Sequence, residues 1–118
     1  MTGVQTCALP IYGRQRQLAD LRDYVRRYIP AQAPLIIAGD FNDWQQQAMS
    51  LLAQPLALVD SFIACHGRVA RSFPARWPML PLDRVYVRGW QVKQARVLHT
   101  LPWSELSDHA PLWVELHR

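Results

Sequence analysis

Acidic, amide and imidazole side chains occur in three short segments of the 118-residue sequence, each beside a run of apolar residues. A strand can hold such groups rigidly at its end while they face solvent. Carboxylates can bind a hard cation or a water, an amide can donate to a phosphate oxygen, and a carboxylate can orient a histidine. The side chains with this chemistry are Asp40, Asn42, Asp83, Asp108 and His109.

Each segment also has a purely structural interpretation when it is taken alone. Asp and Asn are common turn residues, so Asp40 and Asn42 could form a turn with an Asx cap. Asp83 could be a surface residue of a strand, and Ser107 could cap a turn before Pro111. The three segments together, in this order, favour the functional interpretation.

The apolar pattern predicts the elements that must position these side chains. Between residues 14 and 29 apolar residues recur every three or four positions, which predicts a helix that Pro30 ends. The run 35–38 is short and apolar on both faces, which predicts a fully buried strand closed by Gly39. A helix followed by a buried strand indicates layers of helix on sheet.

The rest of the sequence predicts one more helix, a long loop and further strands. Residues 45–54 could form a short helix capped by Asn42 or Asp43. Pro, Gly and Arg make 64–81 a predicted loop, with a short edge strand around Ser72. Three strands are predicted after it, at 82–87, 90–98 and 112–116.

The composition predicts a folded and basic chain. Hydrophobic residues make up 50% of it and five residues are Trp, which excludes a disordered tail. The formal net charge is +4, and Lys93 is the only lysine among 13 basic residues. Arginine binds phosphates bidentately, so a nucleic acid or a phosphorylated small molecule is a compatible partner. The arginines are scattered along the sequence, so charge alone does not choose between these partners.

Cysteine content and apolar run length bear on the cellular location. Cys7 and Cys65 make no disulfide framework, which is compatible with a reducing cytoplasm. No apolar run approaches the roughly 20 residues that span a bilayer. We therefore expect a cytoplasmic protein without a transmembrane segment.

Residues 1–11 show neither a helical nor a strand period and do not lead into the helix that follows. They resemble the translation of a sequencing adapter, so we interpret them as a non-native segment and residues 12–118 as the natural chain. An ordinary disordered N-terminus is the alternative.

The strings GDFND, LDRVYV and LSDHAPL, with their order and spacing, resemble the C-terminal signature of the endonuclease/exonuclease/phosphatase family. That family includes DNase I-like nucleases, apurinic-site endonucleases, inositol polyphosphate phosphatases and bacterial sphingomyelinases. The resemblance covers residues 13–117 and is strongest to small bacterial members. It implies an α/β fold, the C-terminal half of a four-layered DNase I-like sandwich with a mixed sheet and flanking helices.

The resemblance implies metal-dependent hydrolysis of a phosphodiester or phosphoester, with Mg²⁺ or Mn²⁺ as cofactor. Asp40 would position and help deprotonate the attacking water, and Asn42 would bind the phosphate and hold that water. His109, paired with Asp83, would contact the scissile phosphate and stabilise its developing charge. Asp108 would contribute, with Asp40, to metal binding, or would belong to the hydrogen-bond network around the metal.

Family features that precede this half are missing from the sequence: an Asn on the first strand, a Glu that is the principal metal ligand and a His before the first helix. The chain alone is therefore expected to be inactive. The alternative is a non-catalytic module of the same fold that binds anions or partners. The substrate would contain phosphate, with nucleic acid slightly favoured over a lipid or small phosphoester, and no obligate protein partner is inferred.

Several other side chains could contribute to the site. Arg84 is predicted to bind the substrate phosphate, and Arg71 and Arg76 are further candidates, although solvated surface is expected for at least two of the three. The apolar loop 77–79 could contact substrate or pack on the core. The remaining histidines lack ligand spacing and are predicted to be incidental surface residues: His66, His99 and His117.

Overall fold

The computed structural model describes residues 11–41 and 47–118. Two helices and five strands lie within these ranges, together with a π-helical segment, Met49–Ala53, and a 3-10 turn, Trp103–Glu105. In chain order the helices and strands are α1 (Ile11–Tyr28), β1 (Leu35–Asp40), β2 (Val59–Asp60), α2 (Ser61–His66), β3 (Asp83–Arg88), β4 (Gln91–Val97) and β5 (Leu112–His117).

Helix α1 confirms the first predicted helix. Its apolar stripe buries Leu18 and Val25 in the main core. The helix ends at Tyr28, two residues before Pro30, whose ring nitrogen cannot donate the next helical hydrogen bond. The helix begins at Ile11, the last residue of the segment interpreted as non-native.

The first sheet has the strand order β1-β3-β2, and both pairings are antiparallel. One face of β1 packs into the main core, where Leu35 and Ile37 are buried. The other face carries Ile36 and Ala38, which are only half-buried. The prediction of a fully buried strand is therefore correct for one face and wrong for the other, since the described residues cover the second face incompletely.

The second sheet pairs β4 with β5, also antiparallel, with an irregularity between Val92 and Gln94. Helix α2 contacts β4 through a smaller core that contains Phe62, Ala70 and Ala95. The two sheets meet where β3 contacts β5. All strand pairings within the described residues are antiparallel, and helices flank the sheets as expected for the α/β class.

The region between the sheets differs from its prediction in two places. The predicted loop 64–81 begins only after His66, because α2 includes the first three of its residues. The Asp60 carboxylate caps α2 by accepting from the amides of Phe62 and Ile63, and Gly67 closes it with a φ of 77°. The predicted edge strand at Ser72 is reduced to one bridge, between Phe73 and Leu80.

The predicted helix 45–54 is seen in part. Residues 47–53 are helical, with π-helical geometry over Met49–Ala53, while residues 42–46 lie outside the described residues. In the described part of the chain no helix has the length and apolar character that crossing a membrane requires.

Candidate active site

Asp40 and Asp83 form the base of the candidate site. Asp40 is the last residue of β1 and Asp83 is the first residue of β3, and the two are direct partners in the antiparallel register. Side chains of directly opposed residues project from the same face of a sheet. Since side chains alternate along a strand, this face is the one opposite Leu35 and Ile37. The two carboxylates therefore lie together, away from the main core.

His109 lies over this carboxylate pair, just before β5 begins. Its Nδ1 is 2.7 Å from Asp83 Oδ2, and its Nε2 is 3.7 Å from Asp40 Oδ2. Nδ1–H donates to Asp83, which directs Nε2 toward Asp40. The expected contact between Asp83 and His109 is confirmed.

Ser72 is a third partner of Asp83, and its place in the site was not predicted. Its side chain is fully buried and its hydroxyl donates to Asp83 Oδ2, the same oxygen that accepts from His109. The ring of the next residue, Phe73, lies 5.0 Å from the His109 ring. The segment 72–73 therefore holds both members of the Asp83–His109 pair. Its signals in the sequence are a small hydroxyl residue inside a loop rich in Pro, Gly and Arg and the short edge strand predicted around it.

Backbone hydrogen bonds hold the turn that carries His109. The amide of Ala110 donates to the carbonyl of Ser72 at 2.7 Å, and the amide of Ala75 donates to the carbonyl of Asp108 at 2.7 Å. The Ser107 hydroxyl accepts from the amide of His109 at 3.2 Å, which confirms that Ser107 caps this turn. These backbone hydrogen bonds fix the turn, and the turn positions the His109 side chain.

The local charges favour the protonated form of His109. Partial burial alone would lower the pKa of His109, but the hydrogen bond and charge of Asp83 act against it, supported by the charges of Asp40 and Asp108. The result is a pKa raised above the ordinary value for histidine. The imidazolium therefore persists to higher pH than on an exposed histidine.

The site opens into a concavity of about 490 Å³ at the strand ends, whose lining includes Asp40, Asp83 and His109. These three residues offer ligand atoms that lie within 4.8 Å of one another, so the cluster could hold a metal ion. Asp108 is exposed and stands outside this cluster, although its charge acts on His109. Asn42 lies outside the described residues.

Arg84 borders the same concavity as Asp40, Asp83 and His109, but its side chain is held inside the fold. It is 2% exposed and projects from the opposite face of β3, because it follows Asp83 directly. Its guanidinium donates to the carbonyls of Pro81 and Asp83, and its Nε lies 3.6 Å from Asp60 Oδ2. Burial raises the pKa of Asp60, although two backbone amides and Arg84 act in the other direction. These contacts support a structural role for Arg84, and its binding of the substrate phosphate stays a prediction.

The remaining candidates are surface residues, as predicted for the arginines and histidines but not for the apolar loop 77–79, which is predicted to contact substrate or pack on the core. Arg71 is exposed, and Arg76 is an exposed partner of Glu105 at 3.6 Å. In the apolar loop, Trp77 and Met79 are exposed. The three other histidines are exposed as well: His66, His99 and His117.

Known proteins resemble this chain in both sequence and fold. A model of the Endonuclease/Exonuclease/phosphatase family matches residues 3–109. The uncharacterized protein YbhP of Escherichia coli is 44% identical over 104 residues, which cover 88% of this chain and 41% of that protein. A UPF0294 protein of Vibrio cholerae is 38% identical over 100 residues, which cover 85% of this chain and 32% of that protein. The chain thus spans less than half the length of these relatives.

Solved structures show the same fold. A functionally unknown protein of Enterococcus faecalis superposes with a TM-score of 0.77 at 23% identity, over 98% of this chain and 49% of that chain. A mannosyl-6-phosphatase of Bacteroides thetaiotaomicron superposes with a TM-score of 0.74 at 22% identity, over 98% of this chain and 50% of that chain. With the strand-end motifs and the family match over residues 3–109, these findings show that the chain belongs to the endonuclease/exonuclease/phosphatase family.

Proposed function

We propose that this chain is the phosphate-handling half of a metal-dependent phosphoester or phosphodiester hydrolase. The observation that carries the proposal is the position of His109, which is bonded to Asp83 through Nδ1 and faces Asp40 through Nε2 in an open concavity. An imidazole held in this way can donate a proton or a hydrogen bond to a phosphate oxygen.

His109 would stabilise the negative charge that develops on the phosphate. Its raised pKa favours the imidazolium, which is a charged donor and interacts more strongly with a phosphate oxygen than a neutral ring does. Asp83 would keep the ring in the tautomer and orientation that leave Nε2 facing the substrate. Ser72 would act as a positioning residue, because its hydroxyl fixes the Asp83 oxygen that binds the ring.

Asp40 would orient the attacking water and accept its proton. Its carboxylate lies 3.7 Å from His109 Nε2, the atom that would contact the phosphate, so a water held by Asp40 would be close to the phosphorus. Asn42 would bind the phosphate and hold that water, as the family resemblance implies. Asp108 would contribute through its charge to the hydrogen-bond network or to metal binding.

Mg²⁺ or Mn²⁺ is the proposed cofactor. The described residues of the site supply some, but not all, of the ligands that such an ion needs. Hard cations prefer carboxylate oxygens, and Asp40 and Asp83 provide two such groups. Asp83 also accepts from Ser72 and His109, and the family resemblance assigns the cation to Asp40 with Asp108. A bound cation would polarise the phosphoryl oxygen and neutralise charge on the leaving group. The remaining ligands would come from water, substrate and residues outside this chain.

The proposal places the substrate among phosphate-containing compounds, with nucleic acid slightly favoured because the chain is rich in arginine. The chain by itself is proposed to be inactive, since it spans only part of its relatives. A cytoplasmic location belongs to the same proposal and rests on Cys65, which is free and exposed.

The test uses a full-length protein that contains this chain. Release of nitrophenol from bis-nitrophenyl phosphate and from nitrophenyl phosphate is followed with Mg²⁺, with Mn²⁺ and with excess chelator. We expect turnover of at least one ester with metal and its loss with chelator. Metal-independent turnover would contradict the proposed chemistry. Phosphate binding without turnover of either ester would favour the alternative, a non-catalytic anion-binding module.

A further inference from the structure

A second concavity lies between three parts of the chain. These are α2, residues 68–71 after it, and β4. It encloses about 550 Å³, and its lining residues are different from those of the concavity around His109. Sites of a few hundred to about a thousand Å³ are typical for small organic ligands. The family resemblance assigns no role to the residues of this second concavity, which we call the α2 cavity.

The lining of the α2 cavity is basic. Arg68, Arg71, His66 and His99 line it, and none of the described residues in its lining is an Asp or a Glu. Both arginines are exposed. Within the described part of the chain, neither guanidinium has a hydrogen-bond or ion-pair partner. Two arginines without partners beside one cavity can bind an anion bidentately without breaking an existing contact.

Arg96 also lines the α2 cavity, but its side chain is already engaged. Its guanidinium lies 5.1 Å from the ring of Trp113, the residue opposite it in β5, and its Nη2 donates to Gln94 at 2.9 Å. Arg96 therefore differs from Arg68 and Arg71, and it is not needed as a ligand.

The wall of the α2 cavity is apolar. Phe62, Ala70 and Ala95 line it and belong to the smaller core, and Val97 packs against that core. The orientation of the His66 ring is fixed, because its Nε2 lies 2.7 Å from the carbonyl of Ala95. A basic rim next to an apolar wall suits a molecule that has both an anionic and an apolar part.

We propose that the α2 cavity binds a small phosphomonoester, with the phosphate on Arg68 and Arg71 and the organic part on the apolar wall. A nucleic-acid backbone is a poorer fit, because it needs a line of cations along a groove. Of the three arginines that line the α2 cavity, Arg96 is already engaged, which leaves two for an anion at one concavity. The inference does not depend on the proposed hydrolysis, since none of its residues belongs to the His109 site.

The first experiment follows the histidine ring protons of the full chain by NMR while phenyl phosphate is added in chelator. The chain has four histidines, of which His66 and His99 line the α2 cavity, His109 lies in the other site and His117 pairs with Glu115. We expect saturable shifts at His66 and His99. Ligand binding that shifts His109 alone, or that leaves His66 and His99 unchanged, would overturn the proposal.

The second experiment compares dissociation constants by calorimetry. We expect Arg68→Gln with Arg71→Gln to weaken phenyl phosphate binding about tenfold or more, because two charge-assisted contacts are lost. The matched control, Arg26→Gln with Arg27→Gln, removes the same charge from exposed positions of α1 and should leave binding unchanged. Because Arg68 and Arg71 are exposed, their substitution should not disturb the fold. Far-ultraviolet circular dichroism checks that each variant is folded.

Two comparison ligands identify the source of the phosphate group. Inorganic phosphate should bind more weakly than phenyl phosphate, because it leaves the apolar wall empty; equal affinity would overturn the assignment of an organic phosphate. Single-stranded oligothymidylate should compete poorly. Tighter binding of the oligonucleotide, with a steep loss of affinity on adding salt, would replace the small phosphomonoester with a nucleic-acid backbone.

Discussion

The two faces of the β1–β3 pair carry different kinds of polar group. On one face Asp40 and Asp83 are partly exposed, close to His109 and open to a concavity. On the other face Arg84 is almost completely buried and bonded within the fold, next to the buried Asp60 of the neighbouring strand β2. Asp83 and Arg84 are neighbours in the sequence, so the alternation of a strand separates a functional group from a structural one.

A substitution on the buried face should have the largest effect on the free energy of unfolding. Arg84→Ala removes the cation that lies beside the buried Asp60 carboxylate, and removing one partner of a buried ion pair typically costs about 3 kcal/mol or more. Urea denaturation measures the change in the free energy of unfolding. The control is Arg26→Ala on the exposed side of α1, which should change that free energy by less than about 0.5 kcal/mol. Equal effects of the two substitutions would refute the structural role of Arg84.

Ile36 and Ile37 lie on opposite faces of β1, so alanine substitutions at these two positions compare the faces directly. Ile37 is fully buried, so Ile37→Ala should cost about 2–5 kcal/mol in the free energy of unfolding. Ile36 is half-buried, so Ile36→Ala should cost clearly less in the isolated chain. In a full-length protein that covers the second face, the cost at Ile36 should rise. A cost at Ile36 that is the same in both proteins would show that no further layer packs on this face.

Ser72 tests how the site face is held. Ser72→Ala removes the hydroxyl that bonds to Asp83, and loss of such a supporting contact typically lowers activity about tenfold to a hundredfold. The pH dependence of kcat/KM in the full-length protein should shift as well, because Asp83 acts on His109. Ser72→Thr keeps the hydroxyl and should restore part of the activity. A change in stability with an unaltered pH profile would give Ser72 a purely structural role.

The smallest effect concerns the charge of His109. In the metal-free chain the pKa of His109 should lie above that of an exposed histidine, and Asp83→Asn should lower it, because burial then acts with less opposition. The protonated ring is favoured by the fold, so His109 adds stability below the pKa of an unfolded histidine. That contribution disappears as the pH rises through the raised folded-state pKa. NMR titration of the ring protons measures the shift, and an unchanged pKa in Asp83→Asn would exclude Asp83 as its cause.

Much of the site could be predicted because its signals are local. An apolar run followed by Gly39 and Asp40 indicates a strand end, and the same holds for Asp83 and for His109 before β5. The family resemblance brought these segments together, and the structure confirms the contact between Asp83 and His109.

Other features depend on the folded chain and have weak local signals. Ser72 reaches Asp83 only because the loop after α2 folds back onto β3. Helix α2 has six residues, too few for a helical period to emerge from the sequence. The burial of Arg84 could have been predicted from strand alternation, since Asp83 faces the site and the next side chain must face away.

The most direct test of the account is the rate of metal-dependent phosphoester hydrolysis in a full-length protein with His109→Ala or Asp40→Asn. Each substitution should lower kcat by about a hundredfold or more, because it removes a group that acts in the transition state. His117→Ala, which changes an exposed histidine that lines neither concavity, should leave the rate nearly unchanged. Turnover close to that of the unaltered protein in both active-site variants would contradict the account.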